Sequence, residues 1–123
     1  MTTDQTKKTT KRGLPREVRD SVKAAQEKLG QDILVLDLRD IASFTDFFVI
    51  LHGNSGRQNL AICDNIERQL RKDSLKPMGV EGRNTGDWVL MDYGSFIVHV
   101  FSKDKRDYYS LEKLWGDAPK LSY

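Results

Sequence analysis

Two histidines, one cysteine and three prolines are few for a chain of 123 residues, and the scarcity of the first two narrows the chemistry available. Cys63 has no second thiol in the chain to pair with, which fits a reducing compartment. His52, His99 and Cys63 are too few nitrogen and sulfur ligands for zinc unless carboxylates complete the site, so no metal is expected. Long apolar runs are also missing. None approaches the roughly 20 residues that span a bilayer. The first residues carry no apolar segment of the kind a secretory signal needs. The cytoplasm is the expected location.

Charge of either sign is nearly balanced, at +2 overall, but it is unevenly spread. Residues 1–15 hold Lys7, Lys8, Lys11 and Arg12 against Asp4 alone, a net +3, which leaves −1 for the other 108 residues. A nucleic-acid binder shows a basic patch or stripe over its domain. RNA is therefore not the expected partner, beyond weak contact through the basic tail. Arg68, Arg71 and Lys72 share one predicted helix, and the plainer reading of them is a solvated face. The threonine- and lysine-rich composition of 1–15 predicts a disordered tail with nothing in it to form a core. One domain follows, over 16–123.

Apolar spacing supplies the elements. Pro15 stands where helices often begin, and Val18, Val22, Ala25 and Leu29 recur at helical intervals up to Gly30, the expected C-cap. Residues 33–38 and 47–51 read as strands. Ser55 and Gln58 have capping-box spacing, ahead of a helix over 56–72 with the stripe Ile62, Cys63, Ile66 and Leu70. On that stripe Cys63 reads as core, away from any helix terminus that would activate its thiol. A short extended piece over 77–81 and a turn over 82–86 lead to strands 88–91 and 96–101, joined by a tight hairpin. A closing helix is expected over 105–115. The sum is an α/β domain: a five-stranded mixed sheet flanked by helices, since hairpin-linked strands rule out a purely parallel one.

Three patterns invite a chemical reading. Gly53-Asn54-Ser55 at a strand-to-helix junction is a place where free N–H groups bind phosphate, but neither a P-loop nor a three-glycine fingerprint is present, and capping by Ser55 is the simpler role. A strand-strand-helix start with Gly-Ser at the helix looks like the nucleotidyltransferase fold. Such enzymes need paired carboxylates for magnesium. Here Gly56, Arg57 and Gln58 follow Ser55, and Asp37 and Asp46 stand on separate elements. A nucleotide-binding or nucleotidyltransferase-like enzyme is thus the alternative, not the first reading. His99 shares a strand face with Ile97 and Phe101, which suggests a half-buried histidine bonded to a neighbour.

Large aromatics are concentrated late in the chain. Both tryptophans and three of the four tyrosines fall between 88 and 115, with no catalytic spacing among them. Tryptophan, tyrosine and arginine carry much of the energy of protein interfaces. Binding is therefore favoured over turnover. Alternation groups Trp88, Leu90 and Asp92 on one face and Val89, Met91 and Tyr93 on the other, without fixing which faces the core. Tyr108, Leu111 and Trp115 share a helical face that should dock on the sheet, leaving Arg106 and Tyr109 more available. Glu112 has Arg106, Tyr108 or solvent as its choices.

Residues 81–118, with Glu81-Gly82, Trp88-x-x-x-Asp92-Tyr93-Gly94, Val98-His99-Val100-Phe101 and Arg106-x-x-Tyr109-x-Leu111-Glu112-x-Leu114-Trp115, closely resemble the ribosomal silencing factor (Iojap-like) family. The resemblance extends upstream through Leu36-Asp37-Leu38, the 45–50 segment and Ser55-Gly56-Arg57-Gln58, covering about 16–118. It implies a nucleotidyltransferase-like fold without the catalytic acids, and no cofactor. It implies binding to the large ribosomal subunit through that subunit's protein number fourteen, a steric block to joining of the small subunit, and repression of translation when nutrients are short. Homodimers are common in the family. Carried onto this chain, the contact surface comprises Trp88, Leu90, Met91, Asp92, Tyr93, Arg106 and Tyr109, with Trp88 as apolar anchor, Asp92 as acceptor for a basic side chain and Tyr93 at the rim. Asn59, where an apolar residue is common, and Tyr108, where phenylalanine is common, are mild departures.

Overall fold

The computed structural model describes residues 13–123. The basic residues of the expected tail lie outside the described residues. Leu14, however, is buried at 3% exposure beside Val18 and Val22, so the stretch expected to contribute nothing supplies a core side chain.

Helix α1 (Arg16–Glu27) precedes strand β1 (Gln31–Asp37), which pairs antiparallel with β2 (Phe47–Gly53). Helix α2 (Gly56–Arg71) leads to β3 (Gly79–Glu81), β4 (Trp88–Asp92) and β5 (Phe96–Ser102). Two short helices, α3 (Lys103–Tyr109) and α4 (Leu111–Leu114), precede β6 (Lys120–Ser122). The sheet order is β3-β4-β5-β2-β1-β6. Among the described residues only β2 and β5 run parallel, and their seven-residue register from Phe47↔Phe96 to Gly53↔Ser102 forms the centre. A parallel pair needs a long crossover, which α2, β3 and β4 supply.

The mixed sheet flanked by helices is as expected, but it has six strands, not five. Strand β6 spans three residues just after Pro119 and carries no alternation long enough to read; it is seated by pairing with Leu34, Val35 and Leu36 of β1. The closing helix is also broken. Ser110 adopts φ +46°, ψ +54°, a left-handed conformation that ends α3 and starts α4 on a new axis. The expected C-cap at Gly30 shifts as well. α1 ends at Glu27, and Leu29 takes the left-handed position at φ +63°. Gly30 N–H bonds the Ala25 carbonyl at 2.9 Å and Leu29 N–H the Gln26 carbonyl at 3.0 Å, a complete Schellman closure. Leu29 itself is exposed, not part of the stripe.

Two apolar cores sit on the two faces of the sheet. Val18, Val22 and Ala25 of α1 and Ile62, Cys63, Ile66 and Leu70 of α2 cover Val35, Phe47, Val49, Leu51, Val89, Met91, Phe96, Val98 and Val100. Each fully buried large side chain contributes roughly 1.5–3 kcal/mol. Burial pushes the Cys63 thiol up to about 12, so it packs as an inert apolar group. The second core is smaller: Leu36, Leu38, Phe48, Ile50, Phe101 and Ala118, flanked by Trp88, Ile97, Leu111 and Trp115. Among the described residues, no helix is long and apolar enough to cross a membrane.

The loop joining β3 to β4 is held by one close approach. Gly82 has φ +89°, and a Cβ there would sit 1.9 Å from the Trp88 carbonyl oxygen. Gly79 faces open space. Gly82→Ala should cost roughly 2–4 kcal/mol of unfolding free energy and Gly79→Ala less than about 0.5 kcal/mol, read by urea denaturation. Equal losses would show that the approach to Trp88 is not what fixes the glycine.

Candidate functional site

Strand alternation decides the question left open on β4. Val89 and Met91 are fully buried in the core under α2, so Trp88, Leu90 and Asp92 point to the second face. Trp88 lies opposite Phe101, Leu90 opposite His99 and Asp92 opposite Ile97 on β5. On the other side of β4, Glu81 lies opposite Leu90. The second face at this end of the sheet therefore presents Trp88, Leu90, Ile97, Asp92 and Glu81 together.

Aromatic rings run across this face in unbroken contact. Trp88 stacks on Phe101 at 4.9 Å between centroids and leans on Tyr109 at 4.6 Å, while Tyr108 meets Tyr109 edge-on at 5.0 Å. On the other side His99 sits 4.5 Å from Phe48, edge to face, and Trp115 and Phe44 continue the series at about 6 Å spacings. Such offset and edge-on pairs are favoured by the ring quadrupole. The middle of the series is covered and its margins are open. His99, Phe48 and Phe101 are buried, Trp88 and Trp115 are half-buried, and Phe44 and Tyr108 are 57% and 78% exposed. Leu90 is half-buried and lies outside both cores, an apolar side chain with cover on one side only.

Polar groups fix the rings in place. The Trp88 indole Nε1–H donates to His99 Nδ1 at 3.1 Å. This bond to a neighbour is the role expected for His99, though the histidine is buried at 3% exposure, not half-buried. Asp92 accepts the Gly94 N–H through Oδ1 at 2.8 Å, closing the hairpin turn. Arg106 is buried: its Nε donates to Glu112 Oε2 at 3.0 Å, and its Nη1 donates to His52 Nδ1 at 2.9 Å and lies 3.4 Å from the Gln31 carbonyl. This cluster binds α3 and α4 to the ends of β1 and β2. Burial, and then the Arg106 charge, lower the His52 pKa.

The expected contact set thus divides. Trp88, Leu90, Asp92 and Tyr109 lie on the second face or its margin. Met91 and Tyr93 do not: Met91 is fully buried, and Tyr93 is 6% exposed and stacked on Phe96, with burial pushing its hydroxyl up to about 12. Arg106, expected to be available, is an internal cation. The left-handed turn at Ser110 explains both this and the outward position of Tyr108, because it rotates α4 out of phase with α3. Leu111 and Trp115 pack on the second core as expected, and Tyr108 does not. Sequence reading missed Phe44 and Ile97. Alternation already put Ile97 on the His99 face; Phe44 stands alone in a polar connection.

The nucleotide alternative meets a filled site. Ser55 Oγ accepts the Gln58 N–H at 3.0 Å, as the capping pattern predicted, and Gln58 Oε1 accepts the Asn54 N–H at 2.6 Å. The 82–86 turn closes over the same helix start: Asn59 Nδ2 donates to the Gly86 carbonyl at 2.8 Å, and a Cβ on Gly56 would be 2.6 Å from the Thr85 oxygen. Asp37 is held bidentately by Arg39 at 3.0 and 2.7 Å, and Asp46 is exposed in a bend just before β2. No cluster of three or more His, Cys, Asp or Glu side chains fit for a metal occurs among the described residues.

Burial lowers the His99 pKa from 6.5 to about 4. Between these values the unfolded chain binds a proton that the folded one refuses, so stability falls as pH drops from about 6.5 towards 4. The loss from His99 is about 3 kcal/mol, with His52 adding in the same direction. Urea unfolding of wild type and His99→Phe at pH 7, 5.5 and 4 should show a clearly shallower decline in the variant. Parallel curves would mean that His99 titrates normally in the fold.

Comparison with known proteins agrees with the fold. A family model described as "Ribosomal silencing factor during starvation" matches residues 11–123. The chain is 47% identical over 96 residues to ribosomal silencing factor RsfS of Bacillus subtilis, spanning 78% of this chain and 81% of that protein. A solved structure from Chromobacterium violaceum superposes with a TM-score of 0.79 at 33% identity, covering 81% of this chain and 83% of that one. Another, from Bacillus halodurans, gives 0.76 at 36% identity, covering 86% and 96%. Sequence and fold together place this chain in the ribosomal silencing factor family.

Proposed function

We propose that this protein is a translational repressor that works by occupancy. It binds the large ribosomal subunit through that subunit's protein number fourteen, on the face that meets the small subunit, and blocks joining sterically. No chemical step is needed, only affinity and position. Its site of action is the cytoplasm.

One observation carries the reading: half-buried Trp88 and Leu90 stand on a sheet face that the chain's own helices cover incompletely. Aromatic anchors surrounded by partly covered apolar groups are the usual energetic centre of an interface. Family membership supplies the ribosome as partner. The contact set is Trp88, Leu90, Ile97 and Tyr109, with Asp92 as the acceptor for a basic side chain. Met91, Tyr93 and Arg106 act from behind by holding β4 and α3. A homodimer formed through the same face would compete with the ribosome.

Sedimentation with separated subunits through sucrose tests this. Wild type should travel with the large subunit and prevent joining. Trp88→Ala should weaken binding by about 30-fold or more, the scale of an interface hot spot. Because Trp88 also packs on Phe101, Leu90→Ser is the cleaner variant, and it should weaken binding without unfolding the domain. Wild type remaining at the top of the gradient at physiological salt would overturn the proposal. Full binding by both variants would move the contact surface elsewhere.

A further inference from the structure

We infer that His99 is a positioning residue for the docking face: it takes up the Trp88 indole N–H, so that Trp88 offers a partner its ring alone, and the partner segment it selects is an apolar protein ridge flanked by basic side chains. The inference rests on the partner-binding reading above.

An indole N–H can donate but not accept. His99 Nδ1, 3.1 Å away, must therefore hold a lone pair, which puts the ring proton on Nε2. The other neutral tautomer, or the doubly protonated ring, would set two N–H groups against each other. The bond is diagonal across β4 and β5, since Trp88 pairs with Phe101 and Leu90 with His99. It therefore fixes the rotation of the indole, which strand pairing alone leaves free. Phe101 and Tyr109 hold the ring at 4.9 and 4.6 Å.

Packing alone does not call for a histidine here. His99 lies between Phe48 and Phe101, at 4.5 and 6.0 Å between centroids, in a setting that suits a phenyl ring. His99 Nε2 is buried and meets no polar group of the protein. A buried donor left without a partner is costly. The histidine thus carries a cost that phenylalanine would not, and what it returns is the fixed indole of a half-exposed tryptophan.

The fixed indole also defines what can dock. Its polar edge is already satisfied, so a partner needs no acceptor over Trp88, and a partner acceptor placed there would find no donor. Leu90 and Ile97 extend the same apolar strip. Glu81 and Asp92 flank Leu90 on that face, Glu81 by direct pairing across β3 and β4 and Asp92 two residues along. Apolar centre and acidic margins fit an aliphatic ridge with lysine or arginine beside it. They do not fit phosphate-lined RNA, which like-charged margins repel.

The test compares His99→Phe, which fills the space without an acceptor, with His99→Asn, whose side-chain oxygen falls near the lost Nδ1. Two readouts are taken: the NMR signal and hydrogen exchange of the Trp88 indole N–H, assigned with Trp115→Phe, and affinity for purified large ribosomal subunits. His99→Phe should shift the indole signal, speed its exchange about tenfold or more, and weaken subunit binding about tenfold. His99→Asn should restore most of both, a rescue that a purely space-filling role would not give. Wild-type affinity in folded His99→Phe overturns the positioning role. If His99→Phe does not fold, His99→Asn decides alone: a native indole signal with native affinity supports the role, and loss of either overturns it. Binding to protein-free ribosomal RNA as tight as to whole subunits overturns the protein-ridge assignment. Wild type that ignores the subunits altogether is the separate failure of the partner reading, and it removes the docking role whatever the indole shows.

Discussion

Both faces of the central β2–β5 pair are apolar, and among the described residues there is helix enough to cover only one of them fully. The parallel pairing of these two strands commits Phe47, Val49, Leu51, Phe96, Val98 and Val100 to one side and Phe48, Ile50, Ile97, His99 and Phe101 to the other. Helices α1 and α2, with 12 and 16 residues, are long enough to close the first side. Among the described residues, the second side receives α3 and α4, of 7 and 4 residues, with the segments around Ala42 and Ala118. The rest of the molecule follows from this imbalance. Aromatic rings, Trp88 of β4 among them, spread over the second face because they cover wide area with few residues, and Leu90 beside Trp88 stays only half-buried.

The same imbalance explains the buried Arg106 cluster. A short helix cannot hold its place by apolar burial alone, and α4 has no buried residue of its own. An internal cation satisfied by Glu112, His52 and the Gln31 carbonyl ties both short helices to the sheet at a point where apolar contact is thin. Removing one member of such a set leaves an unpaired buried charge, which is far more costly than the set is stabilising. Arg106 thus holds the helix that carries Tyr109, and under the proposed function it supports the docking face without touching the partner.

Much of this was legible in the sequence wherever a period ran long enough. The stripe Ile62, Cys63, Ile66 and Leu70, the cap at Ser55 and the continuous apolar run of β2 each signalled one structure, and each formed it. The misses share a cause: they depend on backbone geometry that residue type does not announce. Leu29 and Ser110 adopt left-handed conformations more often given to glycine, so the end of α1 and the break between α3 and α4 carried no sign. Strand β6 is too short to alternate visibly and is chosen by its neighbour. At the candidate site, alternation separated Trp88, Leu90 and Asp92 from Met91 and Tyr93, but only the positions of α1 and α2 determined which set faced outward. The family resemblance supplied all seven proposed contacts without regard to face, and three of them proved to be internal.

Strand β4 therefore carries two independent instructions in five residues, read on alternate positions. A substitution at Val89 or Met91 is felt in the core under α1 and α2, and one at Trp88 or Leu90 on the opposite face. Their separation depends on count alone, because side chains in a strand reverse direction at every step. A one-residue insertion or deletion within β4 would turn Trp88 inward and Val89 outward at once. The strand can therefore change its letters but not its number.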